Sequence, residues 1–208
     1  MASFIGIARH RLQTDGEGVT TLAAFHGCPL RCKYCLNPQC HSTDCQTIEL
    51  TPQALYDRVK IDQLYFLATG GGVTFGGGEP ALHPDFIVQF REHCGPEWNL
   101  TLESSLNVPM VNVRKLFPVI DHYFIDLKDA NDEIYRHYTQ LSNEQVKENL
   151  EWLVAQDVTD RIIVRLPRIP DFNTEDDIQR SQEYLQSIGI RNIDIFTYQT
   201  DTQKKLRN

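Results

Sequence analysis

Long apolar runs are missing from this 208-residue chain, and no stretch is long enough to cross a bilayer as a helix. The N-terminus, "MASFIGIARHRLQTDGEG", has no extended apolar core followed by a cleavage site, so no secretory leader is expected. Positive charge is scarce too. Twenty lysines and arginines face 28 aspartates and glutamates, a formal net charge of -8. Such a chain repels a phosphate backbone overall, and the tail Lys204, Lys205, Arg207 is too short to reverse that. Neither nucleic acid nor membrane is an expected partner, and the expected location is cytoplasmic. Low-complexity linkers and obvious repeats are also absent. The length suits a single domain over residues 1–208 with one sizeable core. At 41% hydrophobic and 23% charged, the composition is ordinary for a globular protein.

What stands out is a crowd of thiols. The stretch "HGCPLRCKYCLNP", His26 to Pro38, places Cys28, Cys32 and Cys35 at C-x3-C-x2-C spacing, with Tyr34 just before the last. In a reducing compartment, clustered cysteines more often bind metal or do chemistry than form disulfides. Thiolates favour zinc, copper(I) or iron–sulfur clusters. A structural zinc site wants four closed ligands, and a cubane cluster usually takes four cysteines. Three on one tight loop leave one iron open, a vacancy that the amine and carboxylate of a small molecule can chelate. Two other uses stay open. Cys40 and Cys45 follow closely enough for a four-cysteine zinc knuckle, or they are unpaired loop thiols, with Cys94 a buried residue at a helix end.

Along the chain, strand and helix alternate. "VTTLAAFHG", "GGGVTFGGG", "WNLTLESS", "HYFIDLK", "RIIVRLPRI" and "NIDIFTY" read as six strands. Between them "TPQALYDRVKIDQLYF" reads as one helix with Thr51 as N-cap and Pro52 at its first position. "HPDFIVQFREHC", "VNVRKLF", "SNEQVKENLEWLVAQ" and "TEDDIQRSQEYLQSIG" are the other helices, the third with a capping box from Ser142 and Gln145. Such alternation implies parallel strands joined by right-handed crossovers. A full eightfold barrel typically needs about 250 residues. The expected fold is therefore α/β, a partial (β/α)6 barrel open on one side.

In parallel α/β folds the chemistry sits at the carboxyl ends of the strands. There the sequence places the three cysteines, "GGGEP" (Gly76 to Pro80), "ESS" (Glu103 to Ser105), "DLK" (Asp126 to Lys128), Arg165 of "RLPR", and "TYQ" (Thr197 to Gln199). Glycines let a ligand approach the backbone closely, and Glu79 can accept from an ammonium group.

Together these residues resemble the radical S-adenosylmethionine (SAM) superfamily, whose signatures are the C-x3-C-x-aromatic-C loop and a following "GGE". The collinear segments "TDGEGVTTLAAFHGCPLRCKYCLNP", "GGGVTFGGGEPALHPDF", "DLKDANDEIYRHYTQLSN" and "VRLPRIPDFNTEDD" are similar to the glycyl-radical-enzyme activase group, from Thr14 to about Tyr198. The resemblance implies a [4Fe–4S] cluster on Cys28, Cys32 and Cys35, whose open iron holds SAM. Reductive cleavage then gives a 5′-deoxyadenosyl radical that abstracts hydrogen. It also implies Tyr34 beside the adenine, and Gly77, Gly78 and Glu79 on the methionine amino group. Ser104 would offer a hydroxyl. Asp126, Lys128 and Arg165 would lie near the SAM carboxylate. The implied partners are a glycyl radical enzyme and a flavodoxin or ferredoxin-type electron donor, in anaerobic metabolism. The chain departs from the group in reading Glu103-Ser104-Ser105-Leu106 after the third strand, in carrying Gln199 where relatives carry histidine, and in lacking a ferredoxin-like insert after Cys35. Two alternatives remain open: a radical SAM enzyme acting on a small molecule or ribosomal peptide, and a zinc-stabilised binding module.

Overall fold

The computed structural model describes residues 1–12 and 15–198. One mixed sheet of eight strands runs in the order β3-β1-β2-β4-β5-β6-β7-β8. The strands are β1 Ala2–Leu12, β2 Val19–Phe25, β3 Ile48–Leu50, β4 Gly72–Gly77, β5 Asn99–Ser104, β6 His122–Asp126, β7 Ile162–Arg168 and β8 Ile193–Thr197. From β2 to β8 every pairing is parallel, as expected from the alternation of strand and helix. The two ends of the sheet, β3 and β8, do not pair with each other, so the partial barrel stays open.

Two strands were not expected. β1 pairs antiparallel with β2, and the three-residue β3 pairs antiparallel with β1. They cap an edge that β2 would otherwise leave bare. Asp62 fastens this hairpin to the helices. Its buried carboxylate accepts from Arg9 Nε at 2.6 Å and from Arg9 Nη2 at 2.5 Å, and His10 Nε2 lies 2.9 Å away. Asp62 sits where the expected long helix breaks. α1, Pro52–Val59, ends in a 3-10 turn at Lys60–Asp62, and α2 resumes as Gln63–Thr69. Thr51 does cap α1, accepting from the Ala54 amide.

The remaining helices are α3 Pro84–Cys94, α4 Met110–Leu116, α5 Asp132–Thr139, α6 Glu144–Val154 and α7 Glu175–Ser187. α5 was not anticipated; Asn131 caps it by accepting from Glu133 N. The capping box expected of Ser142 and Gln145 does not form. Ser142 Oγ instead donates to Asp132 Oδ1 at 2.8 Å and accepts from Glu144 N, so it serves the α5–α6 corner. The capping box in this half of the chain belongs to Thr174 and Asp177 at the start of α7.

Phe25, the last residue of β2, anchors the core beneath the cysteine loop. Its ring lies 4.4 Å from Phe4, 5.6 Å from Phe86 and 6.0 Å from Phe75, and stacks on His83 at 4.8 Å. Full burial of each such ring is worth roughly 1.5–3 kcal/mol. The exit of the chain from β2 into the cysteines is therefore held by a buried aromatic cluster.

Candidate metal centre and cofactor site

The loop after β2 is tied down by backbone hydrogen bonds on both sides. On one side lies the end of β4. Gly78 N donates to Phe25 O at 2.9 Å, Glu79 N to Gly27 O at 2.8 Å, and Asn37 Nδ2 to Gly77 O at 3.1 Å. On the other side lies the last turn of α5. Arg31 N donates to Thr139 O at 2.9 Å and Lys33 N to Tyr138 O at 3.2 Å. The glycines of "GGGEP" permit this contact. A side chain at Gly78 would put its first carbon 2.1 Å from the Gly27 carbonyl, and Gly77 has a φ of +90°. The glycine run thus joins two loops.

Cys28, Cys32 and Cys35 are all half-buried on this loop. Burial pushes the Cys28 thiol up to about 12, with the nearby Glu79 adding to the effect. Burial also raises Cys32, opposed by the charge of Lys128. Glu79 and Lys128 therefore flank the loop with opposite charges.

Glu79 is buried, and its carboxylate is filled by its own chain. Oε1 accepts from Ser104 Oγ at 2.6 Å and Ala81 N at 3.1 Å. Oε2 accepts from Ser105 N at 2.9 Å and Ser105 Oγ at 2.7 Å. Four donors match the acceptor capacity of one carboxylate. Burial still holds its pKa above the usual glutamate range, although all four donors pull it down. Ser104 and Glu79, both singled out in the sequence, thus meet each other. Ser105 was missed as a site residue, although "ESS" carried the signal.

The next three strand ends form a charge cluster. Arg165 on β7 donates from Nη1 to Glu103 Oε1 and from Nε to Asp126 Oδ1, both at 2.6 Å. Lys128 Nζ donates to Asp126 Oδ2 at 2.9 Å and stands 5.8 Å from the centre of the Tyr198 ring. Burial would raise Asp126, but Lys128 and Arg165 outweigh it and hold it down to about 2. Glu103 lies over Gly76, where a side chain would meet its Oε2 at 2.7 Å. The longer acid at position 103 is thereby matched by a residue with no side chain.

Tyr34 joins an aromatic wall. Its ring lies edge-on to Phe172 at 5.7 Å and 6.2 Å from Tyr138, and its hydroxyl donates to Asp171 Oδ2 at 3.2 Å. Tyr138, Ile169 and Tyr198 form a small apolar cluster against which Cys32 and Tyr34 pack. The Tyr138 hydroxyl is buried there with no hydrogen-bond partner among the described residues. Gln199 lies outside the described residues.

The outer cysteines differ from one another. Cys45 Sγ reaches only Gln46 O, and Cys94 Sγ contacts the carbonyls of Arg91 and Gly95 at the end of α3. Cys40 is not the loose loop thiol expected; it is buried and faces Cys35 and His41. A surface groove of about 440 Å³ between α7 and β8, lined by Arg168, Glu175 and Gln182 among others, contains none of the site residues above.

Similarity to known proteins agrees with this geometry. The family description of the radical SAM superfamily matches residues 23–185. The chain belongs to the radical SAM superfamily. Superfamily membership makes it an enzyme whose cofactors are a [4Fe–4S] cluster and SAM. It is 30% identical to the pyruvate formate-lyase 1-activating enzyme of Escherichia coli, over 88% of this chain and 76% of that one. Identity is 28% to the (2S)-3-sulfopropanediol dehydratase activating enzyme of Klebsiella oxytoca, over 77% of this chain and 69% of that one. Among solved structures, a domain of a pyruvate-formate lyase-activating enzyme from Bacteroides vulgatus is 26% identical with a TM-score of 0.55, covering 66% of this chain and 90% of that one. The radical SAM fold is shared with anSMEcpe with bound AdoMet, at a TM-score of 0.61 and 17% identity, over 82% of this chain and 49% of that one.

The residues present fit both cofactors. Three thiols on one ordered loop are the soft donor set a cluster needs while keeping one iron open. Near Cys32, Lys128 commits one N–H to Asp126 and keeps the others for an anionic group of a bound molecule.

Proposed function

We propose that this enzyme activates a glycyl radical enzyme by removing a Cα hydrogen from a glycine of that partner. The observation that carries the proposal is collinear similarity to activating enzymes along most of the chain. The open sheet edge is consistent with it, because a polypeptide loop needs lateral entry. When bound, the cluster and SAM supply reductive cleavage of the sulfonium and a 5′-deoxyadenosyl radical that takes the hydrogen atom.

The chain's own residues supply position and charge. Cys28, Cys32 and Cys35 would hold the cluster. Lys128 gives one of its three N–H donors to Asp126, and Arg165 gives two of about five to Asp126 and Glu103, so both keep donors for the SAM carboxylate. Glu79 has no such reserve. Its part is to order the loop end through Ser104 and Ser105, leaving the amino group to the backbone around Gly77 and Gly78. Tyr34 and its aromatic neighbours offer the adenine an apolar face and shield it from water. The whole chain is one radical SAM domain acting in the cytoplasm, with a flavodoxin or ferredoxin-type protein as electron donor. Among the described residues no helix is long and apolar enough to cross a membrane.

The test is anaerobic incubation of the reconstituted enzyme with reductant, SAM and a candidate glycyl radical enzyme. A stable glycyl doublet in the partner's electron paramagnetic resonance spectrum is expected. Reductive SAM cleavage that converts a small molecule or peptide, with no radical in any partner tried, overturns the activase assignment.

A further inference from the structure

Cys40 lies outside the C-x3-C-x2-C spacing, and the function above leaves it without a role. It sits on a 3-10 turn, Pro38–His41, that folds back under the cysteine loop. The turn is well held: Cys40 N donates to Asn37 O at 3.0 Å, and Cys40 O accepts from Gly27 N at 3.0 Å. Cys40 is 2% exposed, too buried to be a surface thiol. Its sulfur, the Cys35 sulfur and a ring nitrogen of His41 all lie within 4.8 Å of one another.

That spacing suits one ion. A tetrahedral site with metal–sulfur bonds of about 2.3 Å separates its thiolates by about 3.8 Å, so three ligand atoms this close need only contract slightly. A cubane distributes its cysteines over different irons, which sets them farther apart than the ligands of a single ion. Two thiolates and one imidazole are also a known donor set for zinc, with the fourth position left to water. The competing contact comes from Arg31. Its Nη1 lies 2.8 Å from His41 Nδ1 and also donates to Cys28 O at 2.8 Å and Leu30 O at 3.1 Å. The guanidinium keeps both carbonyls when a metal takes the imidazole.

We propose that in the cluster-free chain Cys35, Cys40 and His41 bind one borderline-soft divalent cation of the zinc class, and that this site and the cluster exclude each other because both need the Cys35 thiolate. Binding releases to solvent whatever protons the two sulfurs carry at the working pH and changes no oxidation state. The exclusion rests on Cys35 being a cluster ligand; the ion site itself does not. Metal supply then decides which centre forms, since zinc bound first withholds one of three cluster ligands.

The experiment uses the full cluster-free chain under anaerobic, reducing conditions. Cobalt(II) is the probe, because tetrahedral thiolate ligation gives it visible ligand-field and charge-transfer bands. One equivalent of cobalt is expected to produce these bands, and zinc to abolish them. Cys40→Ser removes the thiolate bands from this site. His41→Ala, at a half-exposed position, weakens cobalt binding at least tenfold without disturbing the fold, which circular dichroism checks. Cys28→Ala and Cys32→Ala leave the bands in place. Absence of the bands in the unaltered chain, or their loss in Cys28→Ala or Cys32→Ala as fully as in Cys40→Ser, overturns the site. In a second arm, one equivalent of zinc precedes iron and sulfide. Cluster formation is expected to fail in the unaltered chain and to recover in His41→Ala. Equal inhibition in both overturns the exclusion. If zinc-free protein takes up no cluster at all, the radical SAM ligand assignment is at fault instead, and the cobalt result still stands.

Discussion

Substituting Ser104 by alanine tests how Glu79 is held. The serine hydroxyl is one of four donors to a carboxylate that is 1% exposed, at 2.6 Å. A hydrogen bond to a charged group contributes about 1.5–3 kcal/mol, and Ser104→Ala leaves a buried acceptor short of one partner. The expected loss of stability at neutral pH is therefore about 1.5–3 kcal/mol. At 2–4 °C per kcal/mol for a chain of this size, that is a fall in Tm of roughly 3–12 °C. The pH dependence gives the sharper check. Burial holds the Glu79 pKa above its ordinary value of 4.5, so its ionised form is disfavoured in the folded state. For an acid raised in this way the penalty is absent below the unfolded pKa, grows as pH rises from there to the folded pKa, and is constant above it. Losing Ser104 raises the folded pKa further, so the variant's deficit is largest where Glu79 is ionised in the folded protein and shrinks as the pH falls toward 4.5. Thermal unfolding of the cluster-free protein followed by circular dichroism at several pH values measures this. A deficit that is nil at neutral pH, or that widens on acidification, refutes the proposed clamp.

Three further outcomes are expected. Cys32→Ala abolishes cluster-dependent SAM cleavage and the absorbance near 400 nm, whereas Cys45→Ala, whose thiol reaches only Gln46 O, keeps both; equal loss would mean the ligands are wrongly assigned. Gly78→Ala drives a methyl against the Gly27 carbonyl and lowers iron retention after reconstitution, while Gly6→Ala, with nothing within 4 Å, loads normally; iron analysis of the two variants decides it. Arg165→Met leaves Asp126 and Glu103 without their shared cation. Asp126 is held down to about 2 from its ordinary 3.8, so it stabilises the fold above pH 3.8 and that stability is lost as the pH falls through about 2. Lys128 still holds Asp126 down in the variant, which should therefore lose about half of the roughly 2 kcal/mol that the full shift represents and show a flatter acid limb in denaturant titrations; an unchanged limb would refute the coupling.

Much of the fold was legible because period and punctuation agreed. The six parallel strands are short apolar runs between glycines, prolines and polar turns, and the structure places each near its expected position. β1 is hard to read in "ASFIGIARHRL" because its alternation is interrupted where the pairing with β2 slips register. The break between α1 and α2 was invisible because its cause, Asp62 bonded to Arg9 and His10, joins residues more than fifty apart in sequence. The same limit applies to the site. Spacing announced the three cysteines, but not that Ser105 would reach Glu79 or that Cys40 would turn inward toward Cys35. Both depend on where separate loops come to rest.

The amides of Arg31 and Lys33 rest on the last turn of α5, and that of Glu79 on Gly27. The thiols therefore stand on footings that lie far apart in the chain. A shift of α5 or of the end of β4 would pull directly on the cysteine loop, so the geometry offered to a cofactor is only as firm as the two elements that bracket it.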